Sequence, residues 1–355
     1  KEADKVKLNI IDTPGHIDFT IEVKRSLRVL DGAVVVFDGV AGVEPQSLTN
    51  WRYADEYNVP RICFINKLDR LGASFERSYQ SILEQLSPHA IRFQIPDGTE
   101  DKHVGVVDLM TMDYVTYEGE RGEKVIKSKD IPAHLIDDAK KYRGELIEKL
   151  VEFDDAIMAS YLEGVEPDLA TLRRLARVGT CAGKIYPVMT GSALKNKGVQ
   201  LVLDAVAYYL PSPIDVPPLK GVDQNTGAEI DVLPDDNQPF RALAFKTATD
   251  PFVGSLTFFR VYSGKLVAGS YILNTRSGQT ERIARIVRLH ANERQEIKEI
   301  FAGNIAATVG MKDTKTGDTM CDPEYPVVLE GIDIPESVIS LRIEPKTKAA
   351  QEKMG

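Results

Sequence analysis

Apolar and polar positions in the first part of the chain predict alternating strands and helices. Val6–Ile11 is predicted to be a strand. The continuous apolar run at Ala33–Phe37 is typical of a strand that is covered on both faces, and Arg61–Ile65 repeats this arrangement. Apolar positions recur at helical spacing from Phe19 to Leu30, and a second helix is expected over Ser47–Tyr57. This order predicts an α/β fold with a doubly wound parallel sheet.

The alternation loosens after about residue 87 and returns after about residue 182. The intervening residues combine a short β-rich stretch with charged helices, so we expect an inserted α+β subdomain at about 88–182. An apolar strand at Tyr186–Met189 and a helix ending near Leu210 then complete the parent sheet. Residues 1–212 are therefore predicted to form one domain.

Four prolines between Pro211 and Pro218 place a domain boundary there, because proline interrupts helices and central strands. We expect a linker at 213–238. Short alternating strands separated by glycine turns then predict a closed β-barrel at 239–330. Residues 331–355 are expected to begin a third domain of the α+β class.

Composition narrows the class of protein. The 355 residues are 43% apolar, and the longest apolar run is far shorter than the ~20 residues that cross a bilayer, so no membrane partner is expected. Three scattered cysteines, without metal-ligand spacing, favour a reducing cytoplasm. The net charge of −9 argues against a protein that coats DNA or RNA through excess cations.

The first candidate site is the turn Asp12–His16, with the sequence Asp-Thr-Pro-Gly-His, which follows a predicted strand and precedes a predicted helix. In that place backbone N–H groups can face a phosphate, and Asp12 can hold Mg²⁺ through water. The short D-x-x-G pattern is weak, since Asp69-Arg-Leu-Gly72 repeats it, and a structural turn stays an alternative. A polar side chain directly after such a phosphate turn can orient a water molecule for attack on a phosphate, so His16 is the candidate catalytic residue, with a capping or packing role as the alternative.

A second candidate, Asn66–Asp69, comes at the carboxyl end of the third predicted strand, where open α/β sheets bind ligands. Asp69 can accept hydrogen bonds from both the ring N–H and the exocyclic amine of guanine, which adenine cannot offer. Asn66 can brace the loop, the stem of Lys67 can lie against the base, and Leu68 completes the motif. The alternative is a purely structural turn that begins at Asn66 and has charged residues on either side.

The third candidate is the small-residue turn Gly191–Leu194, directly after the restored strand. Its backbone N–H groups, from Ser192, Ala193 or Leu194, could approach guanine O6. Each motif alone is short. Their order, each at the end of its own strand, is typical of a GTPase.

No G-x-x-x-x-G-K-[ST] phosphate loop occurs in the 355 residues, and in this fold that loop would precede Asp12. We therefore expect the sequence to be N-terminally incomplete. Without the phosphate loop, the β-phosphate lacks its lysine and its N–H cradle. The chain by itself is expected to bind GDP weakly and to hydrolyse no GTP.

The motifs together resemble elongation factor G, a translational GTPase family. The resemblance rests on Asp12–Phe19, Gly42–Ser47, Asn66–Arg70 and Gly191–Gly198, and on barrel segments such as Asp250–Gly254 and Ala302–Ala307. Glu344–Lys348 resembles the start of the family's third domain. The inserted subdomain also fits, because a minimal GTPase has far fewer residues between its two guanine motifs.

The resemblance implies GTP and GDP as ligands with Mg²⁺, and GTP hydrolysis on the ribosome coupled to movement of tRNA and mRNA. It implies that Asp12 serves near Mg²⁺, Gly15 senses the γ-phosphate and His16 aligns water, with Thr13 and Pro14 in the same turn. Asn66–Asp69 and Ser192–Leu194 would hold guanine. Partners would be ribosomal RNA and ribosomal proteins, and the protein would be a cytoplasmic monomer. Alternatives are a release, recycling or ribosomal protection GTPase, or a non-catalytic fragment.

Overall fold

The computed structural model describes residues 6–119, 121–250, 254–290 and 293–331. They form a parallel α/β sheet with an inserted α+β part, followed by an antiparallel β domain. This confirms the fold class expected for the described residues. The predicted start of a third domain, at 331–355, lies outside them apart from Gly331.

A four-stranded parallel sheet is the centre of the first domain. Its strands, in spatial order, are β1 (Ala33–Asp38), β2 (Arg61–Asn66), β8 (Tyr186–Thr190) and β3 (Ala90–Arg92). β2 and β8 are almost fully buried, as their continuous apolar runs predict. The helices of this part are α1 (Thr20–Leu27), α2 (Pro45–Glu56), α3 (Phe75–Gln85) and α7 (Val199–Tyr209).

Residues 6–11 differ from the sequence-based expectation, because they form no strand. A strand needs a hydrogen-bonded neighbour, and this segment instead runs along the β domain. Ile11 packs beside Val29 and Ile305, and Lys7 donates a hydrogen bond to Asn304. Ile10 is 78% exposed. The turn at Asp12 therefore does not follow a strand in this structure.

The inserted part is built from one antiparallel sheet and three helices. It packs on the main sheet through a shared core in which Phe64 of β2 meets Leu146 and Leu172. β3 pairs with β8, so in space the insertion begins after Arg92 rather than near residue 88. Its elements are β4 (Gln94–Asp97), β5 (Gly105–Asp108), β6 (Asp113–Glu118), β7 (Lys124–Ser128), α4 (Ala133–Val151), α5 (Asp155–Leu162) and α6 (Leu169–Cys181).

The predicted linker contains regular structure. β9 (Leu219–Asp223) and β10 (Glu229–Val232) pair with β21 (Val327–Leu329) in a three-stranded sheet beside the β domain. The alternation of apolar and polar residues over Leu219–Asp223 could have indicated a strand. The nearby prolines obscured it, although they lie before the strand rather than inside it.

The β domain is an eight-stranded antiparallel sheet that curls around one core. Ile272 and Ile286 lie on the second and seventh strands in spatial order, yet both belong to one buried cluster. Five strand spacings of about 4.8 Å would separate them in a flat sheet. The sheet, in spatial order, consists of β15 (Gln279–Arg282), β14 (Tyr271–Asn274), β20 (Thr319–Cys321), β11 (Arg241–Asp250), β12 (Gly254–Ser263), β19 (Ile305–Val309), β16 (Ile286–His290) and β17 (Glu293–Ile297). A separate pair is β13 (Lys265–Val267) with β18 (Glu299–Phe301).

A buried arginine joins the two domains. Arg260 of β12 donates to Val29 O and to Asp31 Oδ1, each at 2.6 Å, and only 6% of its side chain is exposed. Tyr262 OH donates to Arg28 O at 3.4 Å. The contact fixes the β domain against the segment between α1 and β1.

Candidate guanine site at the edge of the parallel sheet

The ends of β1, β2 and β8 lie level at one edge of the sheet. Asp38 is the register partner of Asn66, and Ile65 is the partner of Thr190. The loop after each of these residues therefore starts at the same height. This is the edge at which open parallel sheets bind ligands.

Asn66 holds the loops at this edge together. Its Oδ1 accepts hydrogen bonds from Lys67 N at 2.7 Å and from Ala193 N at 2.8 Å. The backbone adds two contacts: Asn66 O accepts from Gly39 N at 2.7 Å, and Leu68 N donates to Gly191 O at 3.2 Å. Because Gly39 follows β1 and Ala193 follows β8, Asn66 sets the relative position of all three loops.

Leu68 and Asp69 have opposite environments within the same loop. Leu68 is fully buried in the core beside Ile65 and anchors the loop to the sheet. Asp69 is half-buried, and its Oδ1 is covered by protein without a hydrogen-bond donor among the described residues. Because Asp69 as a whole is only half-buried, the residue remains open in part to a ligand at this edge. Guanine presents two adjacent donors that suit a carboxylate in such a place, so Asp69 fits a guanine ligand.

Lys67 points to a partner that sequence reasoning missed. Its backbone is left-handed, at φ 65°, and its Nζ donates to Asp38 Oδ2 at 2.6 Å. Burial raises the pKa of Asp38, but hydrogen bonds from Lys67, Val40 N and Ala41 N outweigh it and hold that pKa below its usual value. The feature that could have revealed Asp38 as the partner of Lys67 is its position at the end of β1, where it is the register partner of Asn66.

The turn after β8 is shaped by its glycine and its serine. Ser192 is fully buried, and it exchanges two backbone hydrogen bonds of 2.9 Å with Lys197. A Cβ on Gly191 would lie 2.2 Å from Lys197 O, so only glycine fits there. Leu194 at the tip is 86% exposed. Because Ala193 N already bonds to Asn66, a guanine O6 would compete for this donor.

The turn Asp12–His16 lies apart from these contacts. Asp12, Gly15 and His16 are exposed, and Thr13 and Pro14 are half-buried. Within the described residues, no hydrogen bond or ion pair joins the side chains of this turn to the loops after β2 and β8. The structure therefore brings together the two predicted guanine motifs and leaves the predicted phosphate turn separate.

Two further observations concern metal ions and membranes. Across the described parts of the chain, no group of three or more His, Cys, Asp or Glu side chains could hold a metal ion. None of the helices found there is both long and apolar enough to span a membrane.

Comparison with known proteins agrees with this geometry. Residues 2–212 match the family described as elongation factor Tu GTP binding domain, and residues 239–323 match elongation factor G domain 2. The chain belongs to the family of the elongation factor Tu GTP-binding domain. The family is one of GTP-binding domains, and the two matches confirm the resemblance drawn from the motifs.

One relative and one solved structure extend the match beyond the first domain. The chain is 54% identical over 349 residues to elongation factor G of Rhodopseudomonas palustris (strain BisB18), covering 98% of this chain and 50% of that relative. It spans about half the length of that relative. The crystal structure of ttk003000868 from Thermus thermophilus superposes with a TM-score of 0.75 at 23% identity, covering 97% of this chain and 48% of the other, and supports the fold alone.

Proposed function

We propose that the protein is a translation elongation factor that binds GTP and GDP and hydrolyses GTP on the ribosome, promoting movement of tRNA and mRNA. The observation that carries the proposal is the joined pair of loops at the sheet edge, in which Asn66 Oδ1 accepts a hydrogen bond from Ala193 N and the half-buried Asp69 lies on the loop that Asn66 holds. In this proposal the factor works in the cytoplasm as a monomer.

The guanine base would be read by Asp69. Its carboxylate accepts the ring N–H and the exocyclic amine together, and an adenine there would leave the carboxylate unpaired. Asn66 keeps the loop in place, and Leu68 anchors it. The base carbonyl would be received at the neighbouring turn Ser192–Leu194. Because Ser192 N and Ala193 N already donate to Lys197 O and Asn66 Oδ1, it would bond to Leu194 N or replace one of those acceptors.

The turn Asp12–His16 would serve the phosphates. The Asp12 carboxylate is exposed and can accept hydrogen bonds from water on a Mg²⁺ ion that the phosphates hold. His16 is also exposed, so its ring can turn toward an attacking water. Replacing His16 by Ala should leave GDP affinity within about threefold of wild type and reduce ribosome-stimulated GTP hydrolysis by two orders of magnitude or more. Normal turnover in that variant would remove His16 from the mechanism.

Asp69→Asn in the full-length protein tests the guanine assignment. An asparagine can donate to the 2-oxo group of xanthine but cannot accept both guanine donors, so GDP affinity should fall by about 100-fold or more while affinity for xanthosine diphosphate rises. Asp101→Asn is the control, because Asp101 is an exposed carboxylate in the adjacent inserted loop. Unchanged GDP affinity in Asp69→Asn would refute the assignment. An equal loss of GDP affinity in Asp101→Asn would mean that removing any negative charge in this region weakens binding, without a specific contact from Asp69.

A further inference from the structure

A loop of the inserted subdomain contacts the base-recognition loop. Glu100, between β4 and β5, donates its backbone N–H to Leu68 O at 2.6 Å. Its Oε1 accepts from Gly72 N, also at 2.6 Å. Leu68 and Gly72 flank the segment that contains Asp69. A single residue of the insertion therefore holds both sides of the segment that carries the guanine carboxylate.

The loop that presents Glu100 is tightly constrained. Glu100 has a left-handed backbone at φ 60°, which a side-chain-bearing residue rarely adopts without support from its surroundings. Gly98, at φ 74°, has no room for a Cβ, which would lie 2.2 Å from Lys102 O. Lys197, from the turn after β8, donates its Nζ to His103 O at 2.6 Å. The loop is thus tied to both guanine motifs.

His103 gives a second, independent observation. The residue is only 2% exposed, and its Nε2 has no hydrogen-bond partner among the described residues. Burial lowers the pKa of His103, although the nearby charge of Asp69 acts in the opposite direction. His103 Nε2 and Asp69 Oδ1 are thus two buried polar atoms without partners among the described residues, one in the inserted loop and one in the recognition loop that Glu100 contacts.

We propose that Glu100 is a positioning residue for guanine recognition, so that the inserted subdomain helps to build the base site by fixing Asp69. The inference rests on the proposed function, because it assigns a role within the same site. Glu100 touches the recognition loop rather than the base. Removing the Glu100 side chain should therefore weaken recognition of the guanine base more than binding of the phosphates.

The test compares GDP with inosine diphosphate in the full-length protein. Inosine lacks the 2-amino group, so the ratio of the two affinities measures how well Asp69 meets that group. Wild type should prefer GDP by about tenfold or more, as a charge-assisted hydrogen bond predicts. In Glu100→Ala, GDP affinity should fall about tenfold and inosine diphosphate affinity less, so that the ratio drops at least about threefold.

Two further variants make the comparison specific. Glu100→Gln keeps an acceptor for Gly72 N and should restore the wild-type ratio. Asp101→Ala removes the neighbouring exposed carboxylate and should leave the ratio unchanged. A preparation that is partly unfolded lowers both apparent affinities equally, so the ratio still reports on positioning.

The outcomes separate the two claims. A wild-type preference for GDP that persists in Glu100→Ala would overturn the role of Glu100 and leave the guanine site intact. A wild-type protein that binds both nucleotides equally would overturn the contact between Asp69 and the 2-amino group, on which the role of Glu100 depends, and one that binds neither would overturn the guanine site itself.

Discussion

Removing the buried arginine between the domains should destabilise the protein far more than removing an exposed lysine at the same interface. Arg260→Met keeps the apolar stem but leaves Val29 O, in a residue that is 1% exposed, without its donor. It also leaves Asp31, whose side chain is 23% exposed, without its counter-ion. Breaking a buried pair from one side typically costs about 3–5 kcal/mol. Because Asp31 is partly solvated, we expect the low end of that range, about 3 kcal/mol.

Lys246 supplies the matched control. Its Nζ lies 3.5 Å from Glu22 Oε2, and the two side chains are 46% and 35% exposed. Exposed pairs of this kind contribute less than about 1 kcal/mol. Lys246→Met removes the same charge across the same interface, so the difference between the variants measures what the burial of Arg260 and its added hydrogen bond to Val29 O contribute.

The assay is urea unfolding followed by two signals. Fluorescence of Trp51, the single tryptophan, reports on the first domain, and far-ultraviolet circular dichroism reports on both domains. In Arg260→Met the first unfolding transition should shift to lower urea by the equivalent of about 3 kcal/mol. Adding Asp31→Asn should recover part of the loss, because the unpaired carboxylate is then gone. Equal shifts in Arg260→Met and Lys246→Met would refute the reasoning.

Two other predictions concern the site and its surroundings. Gly191→Ala should weaken GDP binding by about tenfold or more, because its Cβ would lie 2.2 Å from Lys197 O; the control Gly144→Ala, within α4 and free of neighbours, should instead stabilise the fold by about 0.5–1 kcal/mol. Because burial lowers the pKa of His103, only the unfolded chain takes up its proton as pH falls below about 6.5, so stability should decrease there. Urea unfolding should be compared at pH values of about 7.5 and about 5.5, on either side of the ordinary histidine pKa of about 6.5. The loss of stability at the lower pH should be smaller in His103→Phe than in wild type, and identical pH profiles of the two proteins would contradict this.

Apolar runs in the sequence predicted the central strands of the parallel sheet. β1, β2 and β8 were predicted nearly to the residue from their continuous apolar runs. β2 and β8 are covered on both faces as expected, but β1 is only half-buried and Val36 is 55% exposed, so the run gave the position of β1 and not its burial. Residues 6–11 mix apolar residues with Lys7 and Asn9, and they are not a strand. Ile11 packs beside residues of the β domain while Ile10 is 78% exposed, and the sequence does not say which of these apolar side chains will be covered.

The candidate guanine motifs could be picked out from the sequence because each lies within a few residues of a strand end. Their partners could not, because those partners are distant in sequence. Asp38 lies 29 residues before Lys67, and Glu100 lies 28 residues after Gly72. No local pattern marks such a pair.

The contacts of Glu100 suggest why an insertion between β3 and β8 is compatible with base recognition. The recognition loop follows β2, and β8, which precedes the second guanine turn, is the neighbour of β2 in the sheet. An insertion that begins beside these strands must leave the sheet near the same edge, so its first loop passes the base site. Glu100 N and Oε1 then occupy positions beside Leu68 and Gly72 that solvent would otherwise fill. Exchanging water for fixed protein groups reduces the freedom of the loop before the ligand arrives, and such preorganisation strengthens binding.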